Sequence, residues 1–235
     1  STFRLLELII EQKKTVQPHY IVSGKRPSIG EEMKSMSRLR DEIRSTYPEE
    51  SKRILPVRFV DIEEVTKDPE IYEARFELRK KDPIGSQYAF LASYCKNDMN
   101  APIDLCIEAL PEKDEEWSCF EYLRSGFSLE TKGMPDIKRR HLKHAKTVFQ
   151  HFSMPYLATT KETMIKKAEK MGWGELLSHT WFCYNPVHLP FAGTVPCGRC
   201  FTCKFAIRHG MSWRVPVMSR IFSRLYQLKK RVASN

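Results

Sequence analysis

No stretch of this chain approaches the roughly 18 to 20 consecutive apolar residues that a helical membrane span needs, and the reading is of a protein with no membrane partner. The opening Ser1-Thr2-Phe3-Arg4-Leu5-Leu6-Glu7 lacks the basic region and uninterrupted apolar core of a secretory signal, which points to the cytoplasm. A Gly-x-x-x-x-Gly-Lys-Ser/Thr phosphate loop is missing too, so Ser23-Gly24-Lys25 reads as a turn. A disulfide framework is disfavoured by number. Of seven cysteines four fall in one cluster, and the remaining Cys95, Cys106 and Cys119 suit a reducing compartment and small buried hydrophobes.

What is present supports a globular chain: 235 residues, 41% hydrophobic and 11% aromatic, bury one sizeable core with an appendage. A formal net charge of +10 implies contact with anions, among them nucleotides, an acidic small molecule, RNA or DNA. The excess gathers at residues 138–144 and in the tail over 214–231, each readable as a solvated helix face or as a phosphate-binding surface.

The most specific pattern lies between Cys183 and Cys203. Four thiols fall within 21 residues, and Cys197, Cys200 and Cys203 follow Cys-x-x-Cys-x-x-Cys spacing. Four thiolates converging from a tight turn and a neighbouring segment are the donor set of tetrahedral Zn²⁺, and Gly198 frees the turn to wrap a metal. An iron–sulfur cluster uses related spacings, and reduced or bridged thiols are a third reading; one cysteine upstream of the run suits zinc better. A site with four protein ligands is closed, so the metal would fold the C-terminal third and perform no chemistry.

In chain order, apolar residues from Leu5 to Ile10 predict a helix ended by Lys13 and Lys14. A strand is predicted over 16–22, pairing after Pro18. A helix through Ile29, Met33, Met36 and Ile43 stops at Tyr47-Pro48, and a second strand spans 54–60. This α-β-α-β rhythm predicts a parallel doubly wound sheet whose first strand would precede Ser1, with Ser1-Thr2 then opening a helix toward a phosphate or acting only as an N-cap. A connecting helix is placed within 61–77, a buried helix over 84–94, and a third strand over 103–109. Asp104, Glu108 and the carboxylates of 112–116 read as a solvated edge before an acid/base or Mg²⁺ pair, no spacing singling out two of them. A basic helix over 136–152 turns Ile137, Leu142, Ala145, Val148 and Phe149 inward. His141 and His144 at i and i+3 lack a third metal ligand nearby. After a short strand at 154–158, Thr159 and Glu162 form a capping box for a helix burying Met164, Ile165, Ala168 and Met171 and stopped by Gly172. Lys161 in its first turn is unfavourable for the helix dipole, which hints at an anionic neighbour, unless it is an ordinary surface lysine.

The run Thr160-Lys161-Glu162, Met171-Gly172-Trp173-Gly174-Glu175-Leu176-Leu177, Thr180-Trp181-Phe182-Cys183-Tyr184-Asn185 and Cys197-Gly198-Arg199-Cys200-x-x-Cys203 resembles the C-terminal half of the 7-cyano-7-deazaguanine synthase family. Ser1-Thr2-Phe3-Arg4-Leu5 is similar to the end of that family's pyrophosphatase loop, Ser-Gly-Gly-x-Asp-Ser-Thr, with five residues cut off, and residues 82–87 occupy the place of its Pro-Gly-Arg-Asn segment. The resemblance implies a parallel doubly wound α/β sheet of the adenine-nucleotide alpha-hydrolase-like type over residues 1–178, with a C-terminal zinc-binding region and basic helix over 179–235. It implies Zn²⁺ on Cys183, Cys197, Cys200 and Cys203. ATP with Mg²⁺ is implied at Ser1, Thr2, Phe3, Arg4, Leu5, Tyr20, Arg26 and Lys161, and substrate at Gly85 and Gln87. The implied reaction joins a 7-deazaguanine carboxylate to ammonia through an adenylate, giving amide and then nitrile.

Three departures bear on the substrate. The family's Asp-x-Ser-Gly-Tyr-Pro-Asp-Cys-Arg run is replaced by residues 109–119, the Cys183–Cys197 link has 13 residues, and the basic tail is extended. The alternatives are an adenylating relative that modifies a macromolecule, by tRNA modification or by attaching a deazaguanine to protein in antiviral defence, and a non-catalytic zinc-containing binding module. A homodimer, or a protein or RNA partner at the basic tail, is compatible with each.

Overall fold

The computed structural model describes residues 2–82, 84–108, 119–128, 134–189, 191–208 and 210–221. Among the described residues no helix is long and apolar enough to cross a membrane. Helix α1 (Thr2–Leu6) runs into a π-helical turn, Glu7–Glu11, and buries Phe3, Leu6 and Ile9. Strand β1 (His19–Val22) starts just after Pro18, because proline has no N–H for a ladder; Val16, predicted within the strand, makes only an isolated parallel bridge to Ile54. Helix α2 (Ile29–Thr46) ends where Tyr47-Pro48 was predicted to stop it, and α3 (Pro48–Ser51) opens on that proline. Strand β2 (Arg58–Asp61) pairs with β1; it starts later than the predicted residue 54 because Pro56 again removes a donor.

Helix α4 (Pro69–Arg79) is capped by Asp68, whose carboxylate accepts from Ile71 N at 3.1 Å. Helix α5 (Gln87–Ser93) continues as a π-helical turn to Met99 and closes on Asn100 with φ of 49°. Then come β3 (Ile103–Asp104), α6 (Cys119–Arg124), α7 (Asp136–Phe149) and β4 (Phe152–Ser153). The chain continues through α8 (Lys161–Lys170), α9 (Gly174–Ser178), β5 (Val187–Leu189), β6 (Gly193–Val195) and α10 (Phe201–Arg208).

The architecture is mixed α/β. Among the described residues the strands form three two-stranded sheets, β1–β2, β3–β4 and β5–β6, and not one continuous doubly wound sheet. Strand β3 lies parallel to β4 with Ile103 opposite Phe152, the helical crossover between them containing α7; β5 and β6 form an antiparallel hairpin with Val187 opposite Val195. Two local predictions are corrected. The short strand predicted at 154–158 lies instead at Phe152–Ser153, ahead of Pro155, which cannot donate. Ile137, predicted to point inward, is 66% exposed, because it sits in the first turn of α7 ahead of the packed stretch that begins at Leu142. The predicted third strand is confined to its first two residues, and residue 109 lies outside the described residues.

Contacts divide the chain into two units. One runs Val60–Lys166; the other joins Thr2–Phe59 to the residues from Lys167 onward. In the first, α4 presents Ile71, Ala74 and Leu78 at i, i+3 and i+7 to a core shared with Leu142, Ala145, Val148 and Phe149 of α7. The Phe149 ring lies 5.3 Å from Tyr88 and 6.3 Å from Phe152, and full burial of such a side chain contributes about 1.5 to 3 kcal/mol.

In the second unit Phe3 meets fully buried Trp173 edge to face, with ring centroids 5.7 Å apart. Lys167 Nζ donates to Glu7 at 2.6 Å and to Glu11 at 2.7 Å, so two turns of the N-terminal helix are tied to α8. Ser35 of α2 accepts from Trp181 N at 2.9 Å and donates to the His179 carbonyl. These bonds hold the segment that leads into the cysteines against α2.

Candidate metal centre

Cys183 is presented by an extended segment whose preceding residues are locked: Trp181 Nε1 donates to its carbonyl at 2.8 Å, and Arg214 donates to Thr180 Oγ1 at 2.9 Å while lying 4.7 Å over the Phe182 ring. The long Cys183–Cys197 link is accounted for by the β5–β6 hairpin, which returns the chain to its starting point. Cys197 N then donates to Cys183 Sγ at 3.3 Å. Gly198 follows with φ of 71°, and a Cβ there would sit 2.8 Å from Ser219 O, so both its backbone sign and its missing side chain are used. The turn aims the N–H groups of Arg199 and Cys200 at Cys197 Sγ, at 3.4 and 3.3 Å. Cys203, on the first turn of α10, completes the group and is fully buried.

The four sulfurs lie within 4.8 Å of one another, and they are the one group of metal-ligating side chains found among the described residues. Cys183 and Cys200 are 3.8 Å apart and Cys197 and Cys203 4.0 Å. A tetrahedron with metal–sulfur distances of about 2.3 Å has edges of about 3.8 Å, so this group could hold a metal ion such as zinc. Backbone N–H groups on the sulfurs are the outer partners that orient such ligands. Hydrogen bonds from Cys183 and then Cys203 hold the Cys200 thiol far below its ordinary range. The bond to Cys200 together with burial pushes Cys183 up to about 12, and Cys203 rises for the same reason, its bond to Cys183 first. Thiols must lose their protons to ligate a metal, so binding at such a group is coupled to proton release.

The residues predicted to bind nucleotide are partly brought together. Tyr20 donates to Glu32 Oε2 at 2.5 Å, Arg26 reaches Tyr20 Oη at 2.7 Å and Glu32 at 3.0 Å, and Ser28 Oγ donates to Glu32 Oε1 at 2.6 Å. Burial, and next the bond to Glu32, push the Tyr20 phenol up to about 12. Arg26 Nε is buried and makes no hydrogen bond. Glu32 and Ser28 were not foreseen; their i, i+4 spacing at the start of α2, with Ser28 just ahead of it, was the available signal. Thr2 and Leu5 are half-buried in α1, Phe3 packs on Trp173, and Arg4 lies 3.5 Å from Glu7; Ser1 lies outside the described residues.

Lys161 opens α8 and meets Glu108 at 3.1 Å, so its anionic neighbour is one of the carboxylates read as a solvated edge. The cap is corrected by one residue. Thr163 N donates to Thr160 Oγ1 at 3.2 Å, while Glu162 turns to Lys166 at 2.7 Å instead of closing a box with Thr159. Gly85 and Gln87 are exposed just ahead of and at the start of α5, and Arg75 fixes that turn by donating to the Gly85 and Ile84 carbonyls. His141 is bound to buried Asp82 at 2.7 Å, which accounts for it without a metal. Residues 112–116 lie outside the described residues. No protein-family model, no curated protein and no solved structure matches the chain.

Proposed function

We propose that this chain is an ATP-dependent ligase of the 7-cyano-7-deazaguanine synthase type, with a closed zinc centre that stabilises its C-terminal region. One observation carries the proposal: the four cysteines that the resemblance singles out, spread over 21 residues, converge within 4.8 Å at tetrahedral separations. A mononuclear ion suits these short distances, since a cluster of several irons needs its ligand sulfurs spread wider. When bound, zinc supplies structural cross-linking and no open position for chemistry.

Topology supports the same reading. The described residues hold a β1–β2 pair, led in by the parallel Val16–Ile54 bridge, and separately a parallel β3–β4 pair joined through a helical crossover, the unit from which doubly wound sheets are built. Such sheets bind ligands at the carboxyl ends of their strands. Tyr20 and Arg26 lie at and just after β1, and the unpartnered Arg26 Nε is a donor left for a ligand. Lys161, with the amides of the first turn of α8, offsets negative charge on phosphate or substrate in exchange for its bond to Glu108.

In the reaction a carboxylate oxygen of 7-carboxy-7-deazaguanine attacks the α-phosphorus of ATP and pyrophosphate leaves. Ammonia then displaces AMP to form the amide, and a second activation removes the amide oxygen to leave the nitrile. A carboxylate is a poor electrophile until its oxygen becomes part of a phosphate leaving group, which is why each step consumes ATP. Mg²⁺ and oriented amides would stabilise the charge that builds on pyrophosphate.

The test is AMP release by the chain with Ser-Gly-Gly-x-Asp joined ahead of Ser1, assayed with 7-carboxy-7-deazaguanine and ammonia and followed by mass spectrometry. AMP together with amide and nitrile is the expected result. AMP with neither product assigns the adenylate to another acceptor, and no AMP with any carboxylate refutes adenylation.

A further inference from the structure

The positive charge of this chain is not spread along it. No Asp or Glu follows Glu175, whereas nine Lys and Arg do; up to Glu175 the chain holds 30 basic and 29 acidic residues. Nearly the whole excess of +10 therefore belongs to the segment that carries the metal centre. That segment also exposes large apolar side chains. Phe191 at the hairpin tip, Phe201 and Trp213 are 105%, 76% and 67% exposed.

Helix α10 organises the two features. Cys203 and Ala206 are buried, while Phe201, Lys204, Phe205 and Arg208 follow at i, i+3, i+4 and i+7 along the opposite, more exposed face. The Phe201 and Phe205 rings are stacked, 6.4 Å apart and tilted by 29°. Aromatic planes and cations thus alternate along one face of α10, whose buried side carries Cys203.

We propose that this stripe, with the exposed Trp213 of the turn Ser212–Arg214 that packs on α10, binds single-stranded nucleic acid, bases stacking on Phe201 and Trp213 and phosphates meeting Lys204 and Arg208. The charge decides the class of partner. A second copy docking the same stripe would set Lys204 and Arg208 against their like, with no carboxylate after Glu175 in sequence to pair them, whereas a polyanion with unpaired bases satisfies both the cations and the planes. A duplex offers phosphates but keeps its bases stacked and hidden. The proposal is independent of the ligase reading, since it rests on the surface and not on any nucleotide reaction.

The test uses the metal-loaded chain and fluorescence anisotropy with oligo-dT, oligo-U and a duplex of equal length. Single strands should bind more tightly than the duplex, with log K falling linearly in log salt by about 0.7 per phosphate contacted. Phe201→Ala and Trp213→Ala should each weaken single-strand binding roughly 5- to 150-fold, the range for losing one base–aromatic stack. Phe201→Tyr should restore it and Phe201→Leu should not, because leucine keeps apolar area but has no plane. Lys204→Glu with Arg208→Glu should flatten the salt slope at unchanged metal content and melting temperature. Binding that ignores Phe201 and Trp213, or that favours the duplex, overturns the proposal. So does sedimentation that shows a dimer dissociated by Phe201→Ala while oligonucleotides do not bind.

Discussion

Cys200 shows how much of this protein hangs on single side chains. Its sulfur lies 3.8 Å from Cys183, within the group of four that could hold a metal ion. Cys200→Ser replaces a soft, ionised donor by a hydroxyl. It should abolish stoichiometric zinc and cooperative melting of the region around it, as read by metal analysis and calorimetry; full metal content with normal melting would refute the assignment. Gly198 makes a separate demand, on space and on backbone sign. Gly198→Ala places a methyl 2.8 Å from Ser219 O at φ of 71°, and should destabilise by about 1 to 3 kcal/mol in urea unfolding of the zinc-loaded chain. An unchanged midpoint would show that Ser219 yields without cost.

Helix α4 is the element where a cap and an ion pair coincide. Asp68 receives Ile71 N and also Lys96 Nζ at 2.6 Å, and the Lys96 bond is the chief reason its carboxyl stays below the ordinary range, burial opposing it and the backbone bond assisting. Because the folded-state value is the lower one, the unfolded chain binds the proton more tightly. The contribution is therefore complete above the ordinary carboxylate range and disappears as pH falls through the folded-state value. Asp68→Ala should lower stability by about 0.5 to 2 kcal/mol at neutral pH. The gap between Asp68→Asn and the parent should narrow as pH drops below about 4, measured by denaturation across pH; a gap that persists into stronger acid would place the stabilisation elsewhere.

At the scale of the whole molecule, two units should answer differently to metal. The four sulfurs belong with Thr2–Phe59, whereas α4 and α7 build their core within Val60–Lys166 without any metal ligand. Chelation should accordingly erase amide-exchange protection around residues 183–203 first and leave α4 and α7 protected, as followed by hydrogen exchange with mass spectrometry. Simultaneous loss in both would mean that the metal sustains the two cores together.

The sequence alone determined the features whose cause is local. Cysteine spacing named the four side chains that converge, Pro18 and Pro48 limited their neighbouring elements, and the 3.6-residue periodicity of α2 and α7 identified Ile43, Leu142, Ala145, Val148 and Phe149 as buried. Only tertiary structure decided what depends on chain return. Glu108 is the partner of Lys161, Asp82 the partner of His141 and Glu7 the partner of Lys167, across separations that no periodicity spans. The thirteen residues between Cys183 and Cys197 became a hairpin, and the doubly wound sheet resolved into separate pairs among the described residues. Local pattern records which side chains leave water; which of them meet is settled by packing, since many arrangements bury the same apolar faces and charge pairs add little to the choice among them.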